Sequence, residues 1–81
     1  MMTRDQRNAN MAGVLSTLAE FGSSPETILY LGVGVSLADW YILQTTMIEA
    51  GLITNQGHEV RITEAGKIVA EQVNSLLKDG K

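Results

Sequence analysis

The sequence contains no cysteine and one histidine, and each shortage excludes a class of protein. Without cysteine there is no disulfide framework and no thiolate nucleophile, which fits a reducing compartment. His58 and nine scattered carboxylates offer neither a transition-metal site nor calcium-loop spacing. Because His58 also lies in a predicted turn without a recognisable catalytic partner, we expect no enzyme, no metal and no cofactor.

Long apolar runs are absent as well. The polar N-terminus leads into no stretch long enough for a signal peptide or a membrane span, so we expect a soluble, cytoplasmic protein. The 81 residues fit one domain over 1–81, with flexible tails at 1–4 and 79–81. A domain of this size buries little surface by itself, which favours a homodimer.

Lysine and arginine are missing from the middle of the chain. Between Ser23 and Gly51 the only charged residues are three acids, Glu26, Asp39 and Glu49, and their sum equals the net charge of −3 of the whole chain. Proteins that bind nucleic acids rely on cations to meet phosphates. The charge distribution therefore disfavours nucleic-acid binding by this segment.

Apolar residues recur every three or four positions in four segments, which predicts four helices. Two short segments with strand-like composition flank a turn-rich stretch and predict a β-hairpin. The fold class is therefore α+β. The predicted elements are helix 1 over 5–21, helix 2 from Pro25 after a cap at Ser24, helix 3 over 37–50 after a cap at Ser36, strands at 52–54 and 59–62, and helix 4 over 64–78 after a cap at Thr63.

The apolar stripe of helix 3 predicts which of its residues face the core. Trp40 falls on this stripe, whereas Gln44 is expected nearer solvent. Trp40, Tyr41 and Ile42 are consecutive and cannot all face inward, so at least one is expected to be partly exposed, as at a protein interface. Packing is the favoured role of Trp40. The predicted shared core comprises Leu37, Leu43, Met47, Val60, Ile62, Val69 and Val73.

The stretch from Met47 to Glu71 carries a specific resemblance. The run MIEAGLI at 47–53 resembles the end of a recognition helix leading into a first wing strand, and RITEAGK at 61–67 resembles a second wing strand and the Thr-x-x-Gly start of the next helix. Both are similar to winged helix-turn-helix domains of the bacterial and archaeal repressor-type families (MarR-, ArsR- and PadR-like). The resemblance implies a three-helix core, a two-stranded wing and a C-terminal helix.

The resemblance also implies a transcription-regulator-type domain that reads duplex DNA and dimerises through its terminal helices. Helix 3 would enter the major groove, and the wing would touch the adjacent backbone or minor groove. Amides and hydroxyls suit base edges and phosphates, and cations suit phosphates. The residues placed for DNA contact are Ser36, Gln44, Thr45, Thr46, His58, Arg61, Lys67, Arg4 and Arg7.

The alternative is a winged-helix module repurposed for protein binding or assembly without DNA binding. Its interface would be the acidic, aromatic surface of helices 2 and 3, with Trp40, Tyr41 and Ile42. The placement of the cations distinguishes the two hypotheses. Arginines and lysines that converge on one face would favour DNA, and scattered ones would disfavour it.

Overall fold

The computed structural model describes the backbone of residues 2–79 and the side chains of residues 2–75. These residues form four α-helices and one three-stranded antiparallel sheet, which confirms the α+β fold class. The elements are α1 (Arg4–Phe21), β1 (Ser23–Pro25), α2 (Glu26–Val33), α3 (Leu37–Glu49), β2 (Ile53–Gln56), β3 (Glu59–Ile62) and α4 (Glu64–Asp79).

The sheet has one strand more than the predicted hairpin. Its order is β1-β3-β2, and β3 is antiparallel to both neighbours, with Ser24 and Asn55 on either side of Val60. The prediction of two strands was wrong because β1 has the sequence Ser-Ser-Pro, whose residue types are typical of turns and helix starts. Its position at the edge of the sheet is where a proline is tolerated.

Two of the three predicted caps are confirmed. The backbone N–H of Asp39 donates to Ser36 Oγ at 3.2 Å, and that of Gly66 donates to Thr63 Oγ1 at 3.0 Å. The cap at Ser24 was wrong: Pro25 occupies the cap position without a side-chain hydrogen bond, and the buried Ser24 hydroxyl donates to the carbonyl of Pro25.

The N-terminal stretch 1–4, predicted as a tail, includes the cap and the first residue of α1. Thr3 caps α1 and exchanges hydrogen bonds with Gln6, so Thr3 and Arg4 belong to the folded domain. Residues 80 and 81 of the predicted C-terminal tail lie outside the described residues.

The core lies between the helices and the inner face of the sheet. Leu43, Met47 and Val60 are fully buried as predicted, and Ile62, Val69 and Val73 are half-buried. Leu37 was placed wrongly, because it shares a side of α3 with Tyr41, one turn later, rather than with the buried residues. The buried apolar residues are Val14, Leu15, Leu18, Leu29, Trp40, Leu43, Met47, Ile53, Val60 and Ala70.

The start of α4 approaches the sheet closely at Gly66. A Cβ atom there would lie 2.2 Å from the carbonyl oxygen of Leu52 and 2.7 Å from Cγ1 of Ile62. The neighbouring Thr63 hydroxyl donates to the carbonyl of Gly51 at 2.6 Å, and Gly51 ends the turn after α3 with a φ of 77°. The Thr-x-x-Gly motif therefore joins the end of α3 to the start of α4.

The turn between α2 and α3 sets the angle between these helices. Gly34 has a left-handed conformation and ends α2, and the two helix axes differ by 110°. Together α2 and α3 have the length and composition of a membrane span but are bent at this turn. No single helix within residues 2–79 is long and apolar enough to cross a membrane.

Candidate functional site

The first residue of α2, Glu26, is a buried carboxylate that contacts two other elements. The indole Nε1–H of Trp40 on α3 donates to Glu26 Oε1 at 2.7 Å, and Nδ1 of His58 contacts Glu26 Oε2. The backbone N–H of Glu26 also donates to the carbonyl of His58 at 2.9 Å. One residue therefore links α2, α3 and the turn between β2 and β3.

The surroundings of Glu26 favour its charged form. The hydrogen bond from His58 is the largest cause that lowers the pKa of Glu26 below its ordinary value of 4.5, burial opposes it, and hydrogen bonds from Trp40 and Asn55 lower the pKa further. Among the described side chains, no lysine or arginine lies within ion-pair distance of this carboxylate. Glu26 is thus a buried negative charge held by hydrogen-bond donors.

A second polar contact extends from this region to β2. The side-chain amide of Asn55 donates to Gln44 Oε1 at 2.8 Å, and Gln44 is only 8% exposed. The prediction that Gln44 faces solvent was therefore wrong, and its side chain is not displayed for a base contact. The spacing in the sequence could have predicted this burial, because Gln44 lies one turn after Trp40 and so shares the buried side of α3.

The turn between β2 and β3 consists of Gly57 and His58. Both have positive φ, 59° and 67°, as a type I′ hairpin turn requires. The prediction that His58 is an exposed turn residue is confirmed. Its contact with Glu26 was missed because the two residues are 32 positions apart in the chain, beyond the reach of local patterns.

A pocket of about 220 Å³ opens between α2, α3 and this turn. The carboxylate-bearing Glu26 and two tyrosines line it together with apolar and polar neighbours. The lining residues are Glu26, Thr27, Tyr30, Leu37, Tyr41 and His58. The pocket thus combines a buried charge with aromatic rings.

Exposed apolar side chains also occur on both helices. On α2, Ile28 and Leu31 lie away from the core, and on α3 a stripe of residues spaced by three or four runs along one side. The apolar members of the set are between 41% and 66% exposed. We define the α2–α3 outer face as Ile28, Leu31, Leu37, Tyr41, Thr45 and Ile48.

The predicted interface residues of the alternative hypothesis divide into two groups. Trp40 is fully buried, so its predicted packing role is confirmed and it is not available to a partner. Tyr41 and Ile42 are each about half exposed. Ile42 lines a small pocket with Met2, Arg7 and Asp39.

The predicted cations lie on α1, β3 and α4, and none lies on α3. Arg7 is half-buried beside Asp39, near the start of α3, whereas Lys67 lies in the first turn of α4 with Nζ 3.4 Å from Glu64 Oε1. Arg7 shares the small pocket with Ile42 near the middle of α3, whereas Thr63 attaches the start of α4, which carries Lys67, to the end of α3.

Of the two other cations, Arg4 lies one turn before Arg7 on α1, and Arg61 lies on β3. Arg4 is the exposed first residue of α1, and Arg61 is exposed on β3, where its register partners are Ser23 and Thr54. Val60, the neighbour of Arg61, is fully buried, so Arg61 lies on the side of the sheet away from the core. None of these cations lies on α3, the helix that the resemblance places in the major groove, which disfavours phosphate binding by that helix.

The hydroxyl residues predicted for DNA contact have mixed roles. Ser36 Oγ caps α3, and the Thr46 hydroxyl donates to the carbonyl of Ile42 at 2.9 Å. Thr45 is exposed at the middle of the α2–α3 outer face. Thr46 is exposed on α3 as well.

Comparisons with known proteins leave the site to be interpreted from its own geometry. No family model matches the chain, and no curated protein matches it. The described residues also contain no group of three or more histidine, aspartate or glutamate side chains that could hold a metal ion.

Proposed function

We propose that this chain is a winged-helix domain that binds a protein partner through the α2–α3 outer face. The winged-helix interpretation is supported by the element order and by the 110° angle between α2 and α3, which lies within the range of about 90–120° typical of helix-turn-helix units. The hairpin follows α3 directly, as a wing follows a recognition helix in the families that the sequence resembles.

The observation that carries the proposal is the apolar character of the exposed side of α3 and its neighbour α2. Five large apolar side chains of the α2–α3 outer face are exposed, and the segment from Ser23 to Gly51 contains no lysine or arginine. A helix that reads DNA needs cations and polar groups at this position. Clustered aromatic and aliphatic side chains are instead typical of the centre of a protein interface.

The charge of this segment indicates which kind of partner fits the face. The segment that forms the α2–α3 outer face has only acidic charges, and the whole chain has a net charge of −3. A second copy would bring another segment without lysine or arginine against this face, and the equal net charge of two copies opposes self-association there. The partner that fits is therefore a protein segment that combines apolar side chains with lysine or arginine. The homodimer through the terminal helices stays a separate prediction.

Duplex DNA is the second candidate, favoured by the exposure of Thr45 on α3 and of Arg61 on the outer side of the sheet. Duplex DNA has less support, because Gln44 is buried and neither α2 nor α3 contains a lysine or arginine. The DNA-binding measurement described next distinguishes duplex DNA from a protein partner.

Selection from a randomised displayed peptide library against the immobilised full chain tests the proposal. We expect enriched peptides to combine apolar residues with lysine or arginine. Leu31→Ser and Ile48→Ser should weaken the binding of an enriched peptide by about tenfold each. Phe21→Ser is the matched control, because Phe21 is exposed at the end of α1, outside this face.

Two results would overturn the proposal. One is a selection that enriches no peptide, or only peptides whose binding Leu31→Ser and Ile48→Ser leave unchanged. The other is binding to mixed-sequence duplex DNA that weakens steeply between about 50 and about 200 mM salt and is lost in Thr45→Ala and Arg61→Ala. Fluorescence anisotropy with a labelled duplex measures the second.

A further inference from the structure

We propose that the pocket between α2, α3 and the β2–β3 turn binds the cationic end of a lysine or arginine side chain. This inference rests on the proposed function and specifies how the partner is recognised. The pocket brings the carboxylate of Glu26 together with the rings of Tyr30 and Tyr41, and Leu37 adds an apolar wall.

The charge of the pocket selects a cation. Glu26 is buried, and among the described residues its only ion-pair partner is His58, a side chain that is mostly exposed to solvent. The lowered pKa of Glu26 keeps the carboxylate ionised at neutral pH. A negative charge in a partly desolvated pocket attracts a cation more strongly than the same charge in water does, and it repels an anion.

The tyrosine rings and Leu37 that also line the pocket suit the cationic head and the methylene stem of a lysine or arginine side chain. Aromatic rings attract ammonium and guanidinium groups through their negative faces, and the methylene stem of lysine or arginine packs on apolar surface. Tyr30 and Tyr41 supply rings, and Leu37 supplies apolar surface.

The size and position of the pocket fit one side chain of a partner that lies on the α2–α3 outer face. Its volume of about 220 Å³ is many times the roughly 15 Å³ that one water needs. Leu37 and Tyr41 belong both to the pocket and to the α2–α3 outer face. A segment bound to that face can therefore place one cationic residue in the pocket while its apolar residues contact Leu31 and Ile48.

A small probe tests the pocket without knowledge of the partner. Nα-acetyl-lysine amide is titrated into the full chain, and its Nε-acetylated derivative, which keeps the stem but lacks the charge, is the matched control. Trp40 is the only tryptophan, and its indole N–H donates to Glu26, so a single NMR signal reports on the carboxylate. We expect the charged probe to shift this signal in a saturable way and the neutral probe to leave it unchanged.

Variants assign the binding to named groups. Tyr41→Ala should weaken the binding of the charged probe by about threefold, and Tyr41→Phe, which keeps the ring, should retain that binding. Glu26→Gln should weaken the binding of the charged probe by about tenfold. Tyr41 is half exposed, so its variants test the pocket even where Glu26→Gln impairs folding.

The outcomes separate this inference from the proposed function. The inference that the pocket binds a cation would be wrong if both probes shifted the signal equally or if neither shifted it. It would also be wrong if Tyr41→Ala bound the charged probe as tightly as the unmodified chain does. Enriched peptides that depend on Leu31 and Ile48 but contain no lysine or arginine would also overturn it, while the protein-binding function would stand. A failed selection together with a saturable shift from the charged probe would remove the proposed function and keep the pocket.

Discussion

The indole N–H of Trp40 donates a 2.7 Å hydrogen bond to the carboxylate of Glu26, and both residues are buried. The bond joins the middle of the core to the first residue of α2. Because the other oxygen of Glu26 contacts His58, the same carboxylate also holds the β2–β3 turn against α2. The position of the turn and the shape of the neighbouring pocket therefore depend on one buried acid.

Loss of the indole N–H should destabilise the protein. Trp40→Phe removes the donor to a buried charged acceptor and leaves unfilled space in the core, so we expect the free energy of unfolding to fall by about 3 kcal/mol. Urea unfolding followed by far-UV circular dichroism measures the change. Tyr41→Phe is the control on the exposed side of the same helix and should change stability by less than about 0.5 kcal/mol. An unchanged Trp40→Phe midpoint would contradict the role of this hydrogen bond.

The contribution of Glu26 to stability should depend on pH in the acid range. Its pKa in the folded protein is lowered below 4.5, mainly by the hydrogen bond from His58, so the unfolded chain binds the proton first as pH falls. The stability from this group is fully present above about pH 4.5 and is lost as pH falls through the lowered pKa. Urea unfolding at several pH values between about 6 and 3 measures the decline.

The variant Glu26→Gln should show a shallower acid decline than the unmodified chain, because its amide does not titrate. Glu49→Gln provides the comparison, since Glu49 is an exposed acid on α3 and makes no ion pair among the described side chains. The prediction fails where Glu26→Gln loses stability with falling pH as steeply as the unmodified chain does.

Local sequence patterns predicted the elements of this fold because those elements depend on nearby residues. The caps at Ser36 and Thr63 bond to backbone groups three residues ahead, and Gly51 needs only a positive φ. Strand β1 could not be predicted in this way, because Ser23–Pro25 is defined by its pairing with β3, more than 30 positions later in the chain.

The candidate site was predicted only in part, because some of its features follow from local patterns and others depend on long-range contacts. The exposure of Tyr41 follows from the rule that three consecutive apolar residues cannot all face inward on a helix. The contact between Glu26 and His58 joins two elements that meet only in the folded protein. The burial of Glu26 could not be predicted from its residue type, because it depends on hydrogen bonds with Trp40 and His58 on other elements.

Alanine at two glycines should have opposite effects on stability. At Gly66 the new Cβ atom would lie 2.2 Å from the backbone oxygen of Leu52, so α4 or the start of the hairpin has to move. Overpacking of this kind costs about 3 kcal/mol where the obstacle is backbone. At Gly32, inside α2, no atom lies within 4 Å of the added carbon, and the helix gains about 0.5–1 kcal/mol because alanine loses less conformational entropy than glycine.

Urea unfolding of Gly66→Ala, Gly32→Ala and the unmodified chain tests both predictions in one series. We expect the midpoint to fall for Gly66→Ala and to rise for Gly32→Ala. Since both substitutions place the same side chain in a helix, helix propensity contributes with the same sign at both positions, and the difference between them measures the contact of Gly66 with Leu52. Equal midpoints for the two variants would contradict the close approach of α4 to the hairpin.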